Sequence, residues 1–365
     1  MKPKVSRSYG STLMSKYNTI ISSFKKKHIL VIGDVILDQY IKGSVSRLSP
    51  EAPVPVVLQQ ESFYTPGGAA NVAHNLTALD AKVTLIGRVG NDGEGDILRR
   101  ELEKKGVSAK SIFTDSTIPT AAKTRVLAQH HQVVRIDREK ITALSNKKLI
   151  QRIFDFLKKN IKTVDAIIIS DYGKGMITPE LVEFTCSLAL KEKKIITIDP
   201  KAEHFMYYKR VTSITPNKSE TENAIRNIKI KSDNGSNLEI DDDKLKTDKD
   251  IDRAGEQLLK FLNLDSILIT LGEHGMRLFE RGKKPLSIKT QARDVFDVTG
   301  AGDAVISVFT LALTAGASKS QAAELSNFAA GIVVGKLGAV AVTKDELVEA
   351  CKRGQVLKPA QFSKI

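Results

Sequence analysis

The segment Asp297-Val298-Thr299-Gly300-Ala301-Gly302-Asp303 gathers three oxygen-bearing side chains and two glycines just ahead of an apolar run from Ala304 to Leu313. That run reads as a helix. Glycines in its first turn let backbone N–H groups converge without a Cβ in the way, and the positive end of the helix dipole favours an anion there. A carboxylate inside an anion site is electrostatically awkward unless it does chemistry. Asp303 is placed to take a proton from a hydroxyl, while the amides of Gly300, Ala301 and Gly302 hold the phosphoryl group which that hydroxyl attacks. The plainer alternative is an acidic residue stabilising the first turn of a helix.

Other segments offer related chemistry, each with a bland counterpart. Gly67-Gly68-Ala69-Ala70-Asn71 turns into a helix; its glycines admit a ligand closely, and the Asn71 amide suits sugar hydroxyls. Tight helix packing accounts for the two glycines equally well. Asp34 and Asp38 flank a strand end, where carboxylates either accept hydrogen bonds from vicinal hydroxyls or cap a loop. Lys201 follows Asp199-Pro200 past a buried strand and meets either a phosphate or solvent. Asn217, Lys218, Ser219 and Glu220 open a helix with capping-box spacing; nucleotide phosphate or magnesium contact is the functional alternative. Thr270 to Gly275, with Gly272 between, either lies against a nucleotide or turns a hairpin.

These residues need a scaffold that brings strand ends and helix starts together. His28–Gly33 reads as a buried strand with Asp34 just past its C-terminal end, where ligands bind in open α/β sheets. Residues 40–65, broken by Pro50, Pro53 and Pro55, read as edge strands or an extended flap. The β-patterned stretch 120–137 pairs with that flap as a small lid. Beyond it, strands near 166–170, 195–199, 211–215 and 266–271 alternate with helices near 147–160, 178–191, 217 onward and 319–336. Alternation of this kind means a mostly parallel sheet covered by helices on both faces, a three-layer α/β/α arrangement. Residues 226–250 are polar and turn-rich and read as a surface insertion, with Asp241-Asp242-Asp243 a solvated acidic run.

Composition narrows the options. The chain has 365 residues, 41% hydrophobic and 27% charged, as in a soluble globular protein, and no apolar stretch long enough to span a bilayer. Cys186 and Cys351 form no CxxC pair, which fits a reducing cytoplasm. The net charge of +14 invites a nucleic-acid partner, yet residues 1–27, a basic N-terminal extension, supply half of it and the rest is scattered. No zinc finger or base-stacking aromatic motif accompanies it, so no nucleic-acid partner is expected. The P-loop, protein-kinase, Gly-x-Ser-x-Gly and His-Glu-x-x-His signatures are all absent, and His130-His131 would face opposite sides of a strand.

Taken together, the segments resemble the ribokinase-like (PfkB) carbohydrate kinase family across about residues 28–343, with 344–365 left as a tail. The signatures are Gly67-Gly68…Asn71 and Asp297 to Asp303. Ser-Arg-Leu-Ser-Pro-Glu-Ala-Pro-Val-Pro (46–55), Ser-Asp-Tyr-Gly-Lys-Gly (170–175) and Ile-Asp-Pro-Lys (198–201) are most similar to its heptose 7-phosphate kinases. The resemblance implies ATP and Mg²⁺ as cofactors and transfer to the C1 hydroxyl of D-glycero-β-D-manno-heptose 7-phosphate, on the way to ADP-heptose and lipopolysaccharide core. It implies Asp303 as base over a Gly300–Gly302 anion hole. Asn217, Lys218, Ser219, Glu220, Thr270, Gly272, Gly275, Asp297 and Thr299 would border the nucleotide, with Glu220 near the metal. Asp34, Asp38, Gly67, Gly68, Asn71 and Asp171 would hold the sugar, and Lys123, Arg125 or Lys201 its phosphate. A homodimer through the edge-like lid is implied. Bifunctional relatives carry a further adenylyltransferase with a His-x-Gly-His motif; this sequence lacks it, which implies a kinase alone.

Overall fold

Hydrophobic residues on consecutive strand positions face opposite sides of a sheet, so a run such as Ile-Leu-Val-Ile needs cover on both. The computed structural model, which describes residues 17–128, 131–231, 238, 244–292, 295–336 and 338–354, supplies it. In strand β1 (His28–Gly33), Ile29 and Val31 enter one apolar core while Leu30 and Ile32 enter a second on the other face. In β8 (Ala166–Ser170), Ile168 joins the first core, and Ile167 and Ile169 join the second. The result is the expected α/β/α layering.

The central sheet has nine strands in the order β13-β12-β11-β10-β9-β8-β1-β4-β5. Here β4 is Lys82–Val89, β5 Ile112–Thr114, β9 Ile195–Asp199, β10 Ser213–Ile214, β11 Ser266–Thr270, β12 Met276–Glu280 and β13 Leu286–Ile288. From β5 to β11 every pairing is parallel; β12 and β13 add an antiparallel edge. A second sheet of four strands, ordered β3-β2-β6-β7, forms the lid. It comprises β2 (Val35–Leu48), β3 (Pro55–Gly68), β6 (Ala122–Ala128) and β7 (His131–Arg138). Pro50 and Pro53 fall in the turn and Pro55 opens β3, so none interrupts a ladder. The expected flap is therefore a pair of long antiparallel strands, beginning at Val35 rather than near residue 40. Lid strand β6 runs parallel to β2.

Three sequence expectations need correction. The basic extension is not merely polar: helical residues 17–23 and the turn Phe24–Lys26 bury Tyr17, Ile20, Ile21 and Phe24 in the first core. Their spacing is one face of a helix, which the lysine count obscured. The insertion at 226–250 overlaps a helix at each end. The helix Lys218–Lys231 runs through its start, and the helix Asp248–Phe261 begins inside it with a Thr247/Asp250 capping box. Leu238 and Leu245 between them are buried. The assigned tail contains the helix Lys344–Arg353, capped by Thr343 and anchored through Leu347, Ala350 and Cys351. Residues 1–16, His130, Asp241 to Asp243 and 355–365 lie outside the described residues. Among the described residues no helix is long and apolar enough to cross a membrane.

Candidate active site

Parallel register aligns the strand ends. Gly33 pairs with Ser170, and Ser170 with Asp199, so Asp34, Asp171 and Asp199 stand side by side at the C-terminal edge of the sheet. Thr270, at the end of β11, bridges to Asn217 on the same edge. Such an edge collects whatever loops and helix starts carry the chemistry.

Asp303 lies in the first turn of the helix Ala301–Thr314, only 3% exposed. Asn71 Nδ2 donates to its Oδ2 at 2.7 Å, and the Tyr172 hydroxyl donates to its Oδ1 at 2.7 Å. Burial lifts the Asp303 carboxyl to about 6, against the two hydrogen bonds that favour its charged form. Gly300 holds φ +81°, left-handed backbone that glycine tolerates, and starts the helix with Ala304 N–H donating to its carbonyl at 3.0 Å. One of the three amides expected in the anion hole is engaged, and the Asp303 amide is free in addition to the other two. Ala301 N–H is turned onto the Val298 carbonyl at 3.2 Å, whereas those of Gly300, Gly302 and Asp303 have no acceptor among the described residues. Asp297 braces this loop, accepting from the amides of Thr299 and Gly338, both at 2.9 Å. Burial raises its carboxyl, but those bonds prevail and hold it below the usual range.

Several residues expected on the sugar are engaged elsewhere. Asp34 accepts three backbone N–H groups, from Tyr172 and Lys174 at 3.0 Å and Met176 at 2.9 Å. Asp171 accepts from His204 Nδ1 at 2.7 Å, the Tyr208 hydroxyl at 2.6 Å and Gly173 N–H at 2.8 Å. Both carboxylates are buried and fix the loop 171–176 rather than waiting for a hydroxyl. Asp38 is ion-paired with Arg125, whose guanidinium also lies over the Tyr40 ring. Their charges neutralise each other in the ligand-free protein. A Cβ on Gly67 would come within 2.2 Å of the Asp38 carboxylate, so Gly67 and its neighbour Gly68 serve close packing. Lys123 makes no ion pair within 4 Å among the described residues; burial and the nearby Lys174 charge lower its pKa. Lys201 lies along Gly173 and reaches Glu203 only at 3.9 Å.

On the neighbouring stretch, Asn217 and Glu220 exchange backbone-to-side-chain bonds of 2.8 Å, a reciprocal cap on the helix Lys218–Lys231. Glu220 keeps Oε1 out of that cap. Burial raises its carboxyl, opposed by the Asn217 amide and Lys201. Asn217, Lys218, Ser219 and Gly272 are exposed, and Thr270 and Thr299 are half-buried. At Gly275 a Cβ would meet the Ile288 carbonyl at 2.1 Å, so glycine lets the two hairpin strands approach there. Two residues in the motifs quoted above went unassigned. Tyr172 sits in Ser-Asp-Tyr-Gly-Lys-Gly and touches Asp303; Asp199 sits in Ile-Asp-Pro-Lys, its carboxyl raised by burial, then by Glu220 and Asp303. An unassigned aromatic or acid directly after a buried strand was the available signal. Among the described residues no cluster of three or more His, Cys, Asp or Glu could hold a metal by itself.

This geometry has counterparts in known proteins. The chain is 43% identical over 327 residues to the bifunctional protein HldE of Desulfatibacillum aliphaticivorans, spanning 90% of this chain but 63% of that protein's length. It is 41% identical over 319 residues to the bifunctional protein HldE of Geobacter sulfurreducens, spanning 87% of this chain and 62% of the relative. The chain thus spans less than two thirds of these curated relatives. In fold it is similar to Arabidopsis thaliana ribokinase complexed with ribose and ATP, with a TM-score of 0.68 at 18% identity over 89% of this chain and 99% of that one. Phosphofructokinase-2 from Escherichia coli gives a TM-score of 0.70 at 15% identity over 90% and 98%. With a family match running from residue 26 to residue 346, this chain belongs to the pfkB family of carbohydrate kinases.

Proposed function

We propose that this protein transfers the γ-phosphoryl group of ATP to the C1 hydroxyl of D-glycero-β-D-manno-heptose 7-phosphate, giving the 1,7-bisphosphate. The observation that carries the reading is the pairing of a buried carboxylate, raised to about 6, with unengaged amides at a glycine-started helix end. Near neutral pH Asp303 is charged yet basic enough to accept a proton. The C1 hydroxyl gives its proton to Asp303, its oxygen bonds to the γ-phosphorus, and the β–γ bridging bond breaks with its electron pair leaving on ADP. The Gly302 and Asp303 amides face the charge on the moving group. Lys123, a half-buried lid cation with no ion pair among the described residues, suits the distal phosphate of the sugar.

Asp199 and Glu220 suit Mg²⁺: they are carboxylates whose mutual repulsion a divalent cation would relieve. When bound, the ion would neutralise phosphate oxygens. The lid exposes Leu58, Val134 and Ile136 at 66%, 46% and 56%, and a second copy of the chain covering that surface completes the proposal as a homodimer. The test is ADP release with heptose 7-phosphate, fructose 6-phosphate and ribose as acceptors. A preference for heptose 7-phosphate of tenfold or more in kcat/KM is expected; equal or better turnover of either other sugar overturns the substrate assignment.

A further inference from the structure

The Tyr172 phenol occupies the acceptor side of the base. Its hydroxyl donates to Asp303 Oδ1 at 2.7 Å, the same kind of contact that an acceptor hydroxyl must make before it loses its proton. The opposite oxygen is held by Asn71, and the carboxylate is 3% exposed, so the phenol fills the space through which a sugar hydroxyl would approach Oδ1. The phenol is a donor at working pH, because burial and then the charges of Asp303, Asp199 and Glu220 raise its own titration well above the ordinary tyrosine value. The rest of its loop is fixed. Asp34 binds the amides of Tyr172, Lys174 and Met176, Asp171 binds Gly173, and Lys174 pairs with Glu139 at 2.7 Å just beyond lid strand β7. Rotation of the Tyr172 side chain uncovers Oδ1 of the base without breaking that frame.

We infer that Tyr172 is a positioning residue which stands in for the acceptor hydroxyl on Asp303 in the ligand-free protein and yields its place when the sugar binds. The inference rests on the reading of Asp303 as base. Charged and titratable groups around that base come from every neighbouring element: Asp38 from β2 with its partner Arg125 from β6, Asp199 from β9, and Glu220 from the helix Lys218–Lys231. None of these changes in Tyr172→Phe, which keeps the ring and removes one donor to the charged carboxylate.

The experiment is a pair of pH profiles for wild type and Tyr172→Phe with the sugar phosphate that the wild type turns over. The acid limb of kcat/KM reports the free enzyme, where the phenol steadies the carboxylate, so it should move up by about one pH unit in the variant. The acid limb of kcat reports the complex, where the phenol has left, so it should keep its wild-type position. Addition of sugar phosphate alone should also give a near-ultraviolet tyrosine difference band in the wild type that the variant lacks. Both limbs moving together would mean that the phenol stays on the base in the complex. Neither moving would mean that it never steadies the base; either result overturns the inference, as does an absent difference band. Should the variant fail to fold, the wild-type band decides alone. A wild type that turns over no sugar phosphate fails the functional reading instead, and the same band, taken with the sugar phosphate, still judges Tyr172.

Discussion

Asp34 and Asp303 have the same exposure, 3%, and burial raises the carboxyl of each, yet their surroundings differ in kind. Asp34 is gripped by three main-chain amides from a single loop, whereas Asp303 is touched by two side chains from different elements. Main-chain donors cannot leave without unfolding their segment; side-chain donors can rotate away. A buried carboxylate is therefore available for chemistry according to what holds it, not how deeply it lies. Asp171 combines the two kinds of grip, held by His204, the Tyr208 hydroxyl and one backbone amide.

Removing one charge from each site should break the comparison most visibly. Asp303→Asn should lower kcat on the order of a thousandfold, the range expected for loss of a general base, with ATP affinity little changed in equilibrium binding. A kcat within tenfold of wild type would strip Asp303 of its role. Asp34→Ala should instead act on the fold, costing about 3 kcal/mol in urea denaturation because three buried N–H groups lose their acceptor. If that variant unfolds like wild type but fails to bind sugar, Asp34 belongs on the ligand after all.

A smaller effect sharpens the electrostatic half of the argument. The folded Asp303 carboxyl titrates at about 6, against 3.8 as its ordinary value. The folded state thus binds the proton more tightly, and the stability this gives is present below pH 4, declines as pH rises through 6 and is gone above it. Wild type should lose about 2–3 kcal/mol relative to Asp303→Asn across that interval. Parallel stability curves for the two proteins would contradict the raised value. The smallest expected change extends the contrast to cations. Arg125 is tied to Asp38, while Lys123 has no ion pair among the described residues, so Lys123→Ala should raise KM for a phosphorylated sugar about tenfold and leave an unphosphorylated one unaffected. Equal effects on both sugars would remove Lys123 from the phosphate.

The layered sheet was legible because strands buried on both faces leave unbroken apolar runs, and glycine and aspartate mark their ends. The helix start at Ala301 was legible for the same reason. What lay hidden was partnership. Nothing local distinguishes Asp34 from Asp303, since their hydrogen-bond donors come from residues 138 and 232 positions away. Gly67 looked like room for a ligand because only the paired register of β2 and β3 brings Asp38 against it. Residues 17–26 were hidden differently: they sit inside a stretch, 1–27, whose seven basic and no acidic residues set its reading, but burial follows the spacing of four apolar side chains.

Asn71 carries one further implication. Its Oδ1 is buried and bonds to nothing, an arrangement that costs about 1–3 kcal/mol if permanent. Turned over by half a rotation, the same amide offers that oxygen to Asp303 once the carboxyl has become an acid. Under the role proposed for Asp303, one side chain accommodates the carboxyl before and after it stores the proton, through a flip of an amide and no movement of the helix Ala301–Thr314.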